Sequence, residues 1–246
     1  GYIQLIKQGK YEKAFRLIME KLPFPGVLGR VCPHPCESEC RRQEVDAAVA
    51  IRDLKRFAAD QTDLENIPLP EIEEKEQKAA IIGAGPAGLT AAYDLRLMGY
   101  QVTLFESLPK LGGMLRVGIP DYRLPPEILD REINYLLRLG ISARTGVRFG
   151  SDITLDDLEK EGFSAIFLGI GAHGSMKLGI PGEDGTAGVI DAVQFLREVN
   201  LGDIKASPGN QVVIIGGGNV AIDAARVAKR LGAQDVHVVY RRSEQE

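Results

Sequence analysis

"AAIIGAGPAGLTAAYDLRLMGYQVTLFES" (residues 79–107) decides the fold. Residues 79–82 read as a short apolar strand, and Gly83, Gly85 and Gly88 follow in GxGxxG order. A helix is predicted from Pro86 to Gly99, and "QVTLFE" supplies a second strand. The three glycines do different things. Gly83 permits a tight turn, Gly85 lets backbone N–H groups approach a pyrophosphate, and Gly88 lets helix and strand pack closely. The helix N-terminus, with its unsatisfied N–H groups and dipole, favours that anion. The run ends on Glu106, an acceptor suited to a free ribose diol.

A second run of the same kind, "QVVIIGGGNVAIDAARVAKRLGAQDVHVVYRR", covers residues 211–242. Its small residues are Gly216, Gly218 and Ala221, and Asn219 either contacts the phosphates or caps the helix. No acid closes its second strand. Arg241 and Arg242 stand there instead, forked donors that match a 2′-phosphate; the plainer alternative is an exposed basic pair at a strand end. The two different endings point to FAD and NADP(H) held by one chain.

Around these units the composition is that of an ordinary globular chain, with 44% hydrophobic residues, 26% charged residues and a net charge of −4. It recommends no nucleic-acid partner. No apolar run approaches the roughly 18 residues of a membrane span and no secretory signal opens the chain, so a cytoplasmic location is expected. The chain begins on Gly1 and stops at Glu246 directly after a predicted strand, so both ends read as cut.

All the cysteines, Cys32, Cys36 and Cys40, lie in "GRVCPHPCESECRR". Such clustering argues for a metal or cluster over disulfides, which would leave one thiol over. An iron-sulfur cluster with further ligands upstream is the favoured reading; a zinc knuckle with His34 as fourth ligand and three buried structural cysteines are the alternatives. Tyr11, Ala14, Phe15, Ile18 and Met19 form one apolar stripe of a helix. In "AVAIRDLKRFAAD" (48–60) a second helix is predicted with Val49, Ile51, Leu54 and Phe57 inward and Arg52, Lys55 and Arg56 outward. Polar, proline-interrupted residues 61–78 read as a linker. The expected domains are a partial helical iron-sulfur domain at 1–62, a linker at 63–78, the first part of an FAD domain at 79–175, and a partial NADPH domain at 176–246.

No cysteine follows Cys40, so a flavin here has no local dithiol to reduce. No Ser, His and carboxylate set suits nucleophilic chemistry, and His173 and His237 read as a loop and a strand residue. Catalytic side chains are left unassigned, because hydride transfer needs only a nicotinamide held against an isoalloxazine.

"GRVCPHPCESEC", "GAGPAGLTAA" with Glu106, "GGMLRVGIPDYRLP" (112–125), "LGIGAHGSMKLGIPGED" (168–184) and "GGGNVAIDAAR" with "VVYRRS" occur in one order along nearly the whole chain. In this the chain resembles the glutamate synthase small-subunit family of NADPH-dependent FAD and iron-sulfur oxidoreductases. That family also takes in the N-terminal region of dihydropyrimidine dehydrogenase and the NADPH-binding subunit of bifurcating transhydrogenases. The resemblance implies an α/β fold: a small all-α domain with [4Fe-4S] clusters, then an FAD domain interrupted by an inserted NADPH domain, both Rossmann-like. It implies FAD contacts at Gly83, Gly85, Gly88 and Glu106, a flavin-side loop with Gly113, Leu115 and Arg116, and an adenine contact from the main chain of Val147. It implies NADPH contacts at Gly216, Gly218, Asn219, Arg241 and Arg242, with Cys32, Cys36 and Cys40 as cluster ligands shared with an upstream cysteine group.

The chain departs from the family pattern in four ways. The upstream cysteines and the segment that closes the FAD domain are absent, the first two cysteines are closer together, and Lys55 stands where dihydropyrimidine dehydrogenase has a glutamine ligand. The expected function is an electron-entry module in a hetero-oligomer, passing electrons between NADPH and FAD and through [4Fe-4S] centres to a partner redox subunit or domain. The alternatives are a bifurcating or NADP-reducing subunit and a noncatalytic nucleotide-binding subunit.

Overall fold

The computed structural model describes residues 1–242. The chain opens with five helices: α1 (Tyr2–Lys7), α2 (Tyr11–Met19), α3 (Pro25–Val31), α4 (Pro35–Ser38) and, after a 3-10 turn at Arg41–Glu44, α5 (Ile51–Asp60). There follow β1 (Lys78–Ile82), α6 (Pro86–Leu97), β2 (Gln101–Glu106), α7 (Met114–Val117), α8 (Pro126–Arg138), β3 (Ser142–Thr145), α9 (Leu155–Lys160) and β4 (Phe163–Leu168). The last elements are α10 (Ala192–Leu201), β5 (Gln211–Ile215), α11 (Asn219–Arg230) and β6 (Asp235–Val239). Packing divides the chain into two compact units, one of Gly1–Gly112 with Arg123–Ile170, the other of Gly113–Tyr122 with the residues from Gly171 onward.

In the first unit four parallel strands lie in the order β3-β2-β1-β4. The order reverses between β1 and β4, the place where doubly wound sheets open a crevice at their carboxyl ends. Ala80, Ile82, Phe105, Ile153, Leu158 and Phe163 form a core on this sheet, with Phe105 and Phe163 edge to face at 5.7 Å. The expected stripe of α2 is realised, since Ala14, Phe15, Ile18 and Met19 are buried.

The stripe of α5 differs from expectation. Phe57 is 41% exposed and meets Tyr11 edge to face, while Ala58 and Ala59 take the fully buried places. α3 lies close against this side of α5: a Cβ on Gly29 would stand 2.5 Å from Arg56 Cβ, and one on Gly26 would stand 3.5 Å from Ala59 Cβ.

Residues 61–77 carry no regular element, yet they are held down. Leu64 and Ile67 are buried. Free carbonyls along such a stretch need donors, and arginines supply them: Arg16 donates to Pro68 O at 2.7 Å, and Arg138 donates to Leu64 O and Ile67 O. Helical segment and sheet therefore fall in one compact unit.

In the second unit β5 and β6 pair in parallel, and α10 and α11 bring Phe195, Leu196, Ala224, Val227 and Ala228 together against Val212, Ile214 and Val236.

Candidate functional site

The two glycine turns share the same pattern of backbone conformation. Gly83 and Gly216, each directly after a strand, have φ of +97° and +131°, where L side chains are strained. Two residues on, Gly85 (φ −77°, ψ −176°) and Gly218 (φ −80°, ψ 175°) are the N-caps of α6 and α11. Neither helix has a side-chain cap at its N-terminus, so its leading N–H groups are left for an anion. Asn219, expected as a phosphate contact or a cap, is the first residue of α11, exposed, and does not cap it.

The first turn leaves no room for side chains. A Cβ on Gly88 would stand 1.9 Å from Gly83 O, and one on Gly83 would stand 2.4 Å from Gly169 O, just after β4. The turn is thus pressed against the point where the strand order reverses. Glu106 is buried, and its carboxylate accepts from Ala84 N–H (2.8 Å), Leu108 N–H (2.8 Å) and Ser107 Oγ (3.2 Å). Three donors leave about one of its four lone-pair positions for a further hydroxyl. Val147 donates its N–H to Glu106 O at 3.0 Å, which sets its main chain beside that acid.

Register identifies the second turn's counterpart of Glu106. Ile82 pairs with Phe105 and Gly83 donates to Phe105 O at 2.7 Å; Ile215 pairs with Val239 and Gly216 donates to Val239 O at 2.9 Å. Glu106 is therefore matched by Tyr240, with the exposed Arg241 and Arg242 directly after it. The Tyr240 ring lies so near the turn that a Cβ on Gly217 would come within 2.6 Å of it. Gly217 and Tyr240 are the residues that motif reading missed; counting from the strand pairing, not from the basic pair, finds them.

Gly112 (φ +120°) and Gly113 (φ +52°, ψ −134°) turn the chain in a conformation suited to glycine, and Gly112 donates to Ala84 O in the first turn at 2.8 Å. Leu115 and Arg116 follow, half-buried, on α7. By packing, Gly113, Leu115 and Arg116 belong to the second unit, whereas the other expected flavin contacts belong to the first. Asn200 holds the stretch by donating to Val117 O (3.0 Å) and Ile119 O (3.3 Å), Tyr122 donates to Asp223 Oδ1 at 3.2 Å, and the Arg230 guanidinium stacks on the Tyr122 ring at 3.8 Å.

Cys32 caps the C-terminus of α3, Cys36 lies in α4, and Cys40 precedes the 3-10 turn; all three are free thiols. His34 between two prolines has φ +46°, a left-handed backbone that among the described residues no other non-glycine adopts. Its N–H points at Cys32 Sγ (3.4 Å), as does that of Val49 at Cys40 Sγ (3.5 Å). Its Nδ1 lies 3.2 Å from Glu37 Oε2, close enough for charge attraction without hydrogen-bond alignment. Soft thiols that already receive N–H groups suit an iron-sulfur centre, but among the described residues no three candidate ligands converge on one metal position. The set with His34 that zinc would need is not assembled either.

Residues 77–245 match the family model for pyridine nucleotide-disulphide oxidoreductases. The chain belongs to that family. Residues 1–67 match the model for dihydropyrimidine dehydrogenase domain II, 4Fe-4S cluster. The chain is 46% identical over its whole length to the NADP(+)-dependent formate dehydrogenase subunit beta of Moorella thermoacetica. It is 34% identical, again over its whole length, to the glutamate synthase [NADPH] small chain of Escherichia coli. The chain spans 38% and 54% of these two relatives' lengths. Among solved structures, Mycobacterium tuberculosis FprA in complex with NADPH superposes with a TM-score of 0.57 at 24% identity, over 68% of this chain and 43% of that one, a likeness of fold. The cofactors that go with the two family matches are FAD, NADP(H) and a [4Fe-4S] cluster. Unlike the disulphide reductases that name the family, this chain has no cysteine in the matched region. Among the described residues no helix is long and apolar enough to cross a membrane.

Proposed function

We propose that the chain is an electron-entry module, which takes electrons from NADPH onto FAD and hands them, through iron-sulfur centres, to a partner redox subunit. The observation that carries this is the twin turn: closely similar backbone, different endings. Gly83, Gly85 and Gly88 bring backbone N–H groups of the α6 N-terminus to the FAD pyrophosphate, and Glu106, held by three donors, orients the ribose. Val147 would offer its main chain beside that acid, and Gly113, Leu115 and Arg116 are the residues proposed for the flavin-side loop. Gly216, Gly218 and Asn219 serve the second pyrophosphate in the same way. Arg241 and Arg242 neutralise the 2′-phosphate, for which Tyr240, unlike an acid, raises no charge barrier. When bound, the nicotinamide and flavin supply the hydride chemistry, so no protein nucleophile or general base is required.

Cys32, Cys36 and Cys40 provide thiolate ligands to clusters that further cysteines complete. The partner is the subunit or domain in which the final substrate is reduced, and a glutamate synthase large-subunit-like partner would make the product glutamate. Mixing the full-length protein with NADPH under anaerobic conditions tests the reading. The flavin absorbance is expected to bleach with NADPH and far less with NADH; bound nucleotides without bleaching would instead support a noncatalytic binding subunit.

A further inference from the structure

Glu132 is 1% exposed, yet it carries a carboxyl group and touches no nucleotide turn. It projects from α8, and 106 residues separate it from its partner: Oε1 accepts from Gly26 N–H at 2.6 Å and Oε2 from Val27 N–H at 3.0 Å. These are leading amides of α3. Pro25 has no N–H, Leu28 donates to Phe24 O at 2.9 Å, and Phe24 gives no side-chain cap, so Glu132 satisfies the remaining donors of that helix end. Gly26 is shaped to it, because a Cβ there would stand 2.9 Å from Oε1. Burial pushes the carboxyl up to about 7 against the pull of those N–H groups and of Arg131 and Arg30.

A seven-residue helix has no stability of its own. What places α3 is Glu132 at one end, the close contact of Gly29 with α5 along its side, and Arg30, which grips Asp60 Oδ1 and Oδ2 at 3.0 and 3.1 Å and Gly26 O at 3.0 Å. Its other end is Cys32, the C-cap. At about 1.5 Å per residue, roughly 10 Å of helix lies between the held amides and Cys32.

We propose that Glu132 is a positioning residue for the cysteine loop: by holding the leading amides of α3 it fixes Cys32 to the helix layer of the first nucleotide unit. Any effect on a cluster rests on Cys32 being a cluster ligand, as proposed above; the effect on the position of Cys32 does not.

The test compares full-length wild type with Glu132→Gln and Glu132→Ala. Amide hydrogen exchange is read at Gly26, Val27 and residues 32–36, and the iron-sulfur reduction potential is read by EPR-monitored titration. Faster exchange at both places and a shifted potential, with flavin content unchanged, are expected. Faster exchange at Gly26 and Val27 alone, with the 32–36 segment and the potential as in wild type, would make Glu132 a cap and nothing more, and overturn the proposal. If neither variant folds, Glu132→Asp, one methylene short, takes their place, with a smaller shift expected and wild-type values overturning it. A full-length wild type without iron-sulfur signal would contradict the proposed function alone, since exchange at 32–36 still decides the role of Glu132.

Discussion

Gly88 and Ala221 hold the same place in their turns, but only the second tolerates a methyl group. In the first turn that methyl would stand 1.9 Å from a backbone oxygen that cannot move aside. Gly88→Ala is expected to cost more than about 2 kcal/mol and to abolish FAD retention in the full-length protein, measured by denaturant unfolding and by released flavin. Tyr240 is the residue whose role the motif conceals. Placing an acid there, Tyr240→Glu, recreates the ending of the first turn, so NADPH affinity is expected to fall about tenfold or more against NADH, about 1.4 kcal/mol. Isothermal titration with both nucleotides checks it, and an unchanged ratio would remove Tyr240 from any part in specificity. The glycines and Glu106 were legible from spacing because backbone geometry demands those residue types. Tyr240 was not, because its equivalence to Glu106 exists only in the strand register.

Amphipathic periodicity read α2 correctly and missed Phe57 on α5, since the pattern reports which residues are apolar and not how near the neighbouring helix lies. α3 approaches the backbone of α5 at Gly29, and Gly29→Ala is expected to destabilise by about 1–3 kcal/mol, seen in thermal or denaturant unfolding. Glu132 was likewise invisible in the sequence, where it resembles any solvated helix acid. Its burial gives a pH dependence. The carboxyl titrates at 4.5 when exposed and at about 7 when folded, so the folded protein holds the proton more firmly. The stability it allows is full below pH 4.5 and is lost as pH rises through 7, by roughly 3 kcal/mol. Denaturant midpoints of wild type are expected to fall over that interval relative to those of Glu132→Gln, which has no such group; parallel profiles would contradict the buried carboxyl.

At the scale of the molecule, the alternation of strand, glycine turn and helix was enough to foresee two parallel sheets, because each unit is local in sequence. The packing of the chain into two units has its causes in contacts between distant segments. Arginine donors fasten 61–77 to the first unit, and Asn200, Asp223 and Arg230 draw residues 113–122 into the second, all through long-range side-chain contacts that no composition shift marks. β5 is apolar at both alternating positions, with Val212 and Ile214 on the helix-covered side and Val213 and Ile215 exposed, the pattern of strands meant for cover on both faces. In the proposed route, electrons from NADPH enter through the second turn, cross to a flavin on the first, and leave through the cysteine loop. An anaerobic NADPH titration of the full-length protein, followed by visible absorbance and EPR together, tests that route most directly. The flavin is expected to bleach and a reduced-cluster signal to appear, both lost in an Arg241→Ala, Arg242→Ala double variant at limiting NADPH; a reduced flavin beside clusters that stay oxidised would contradict it.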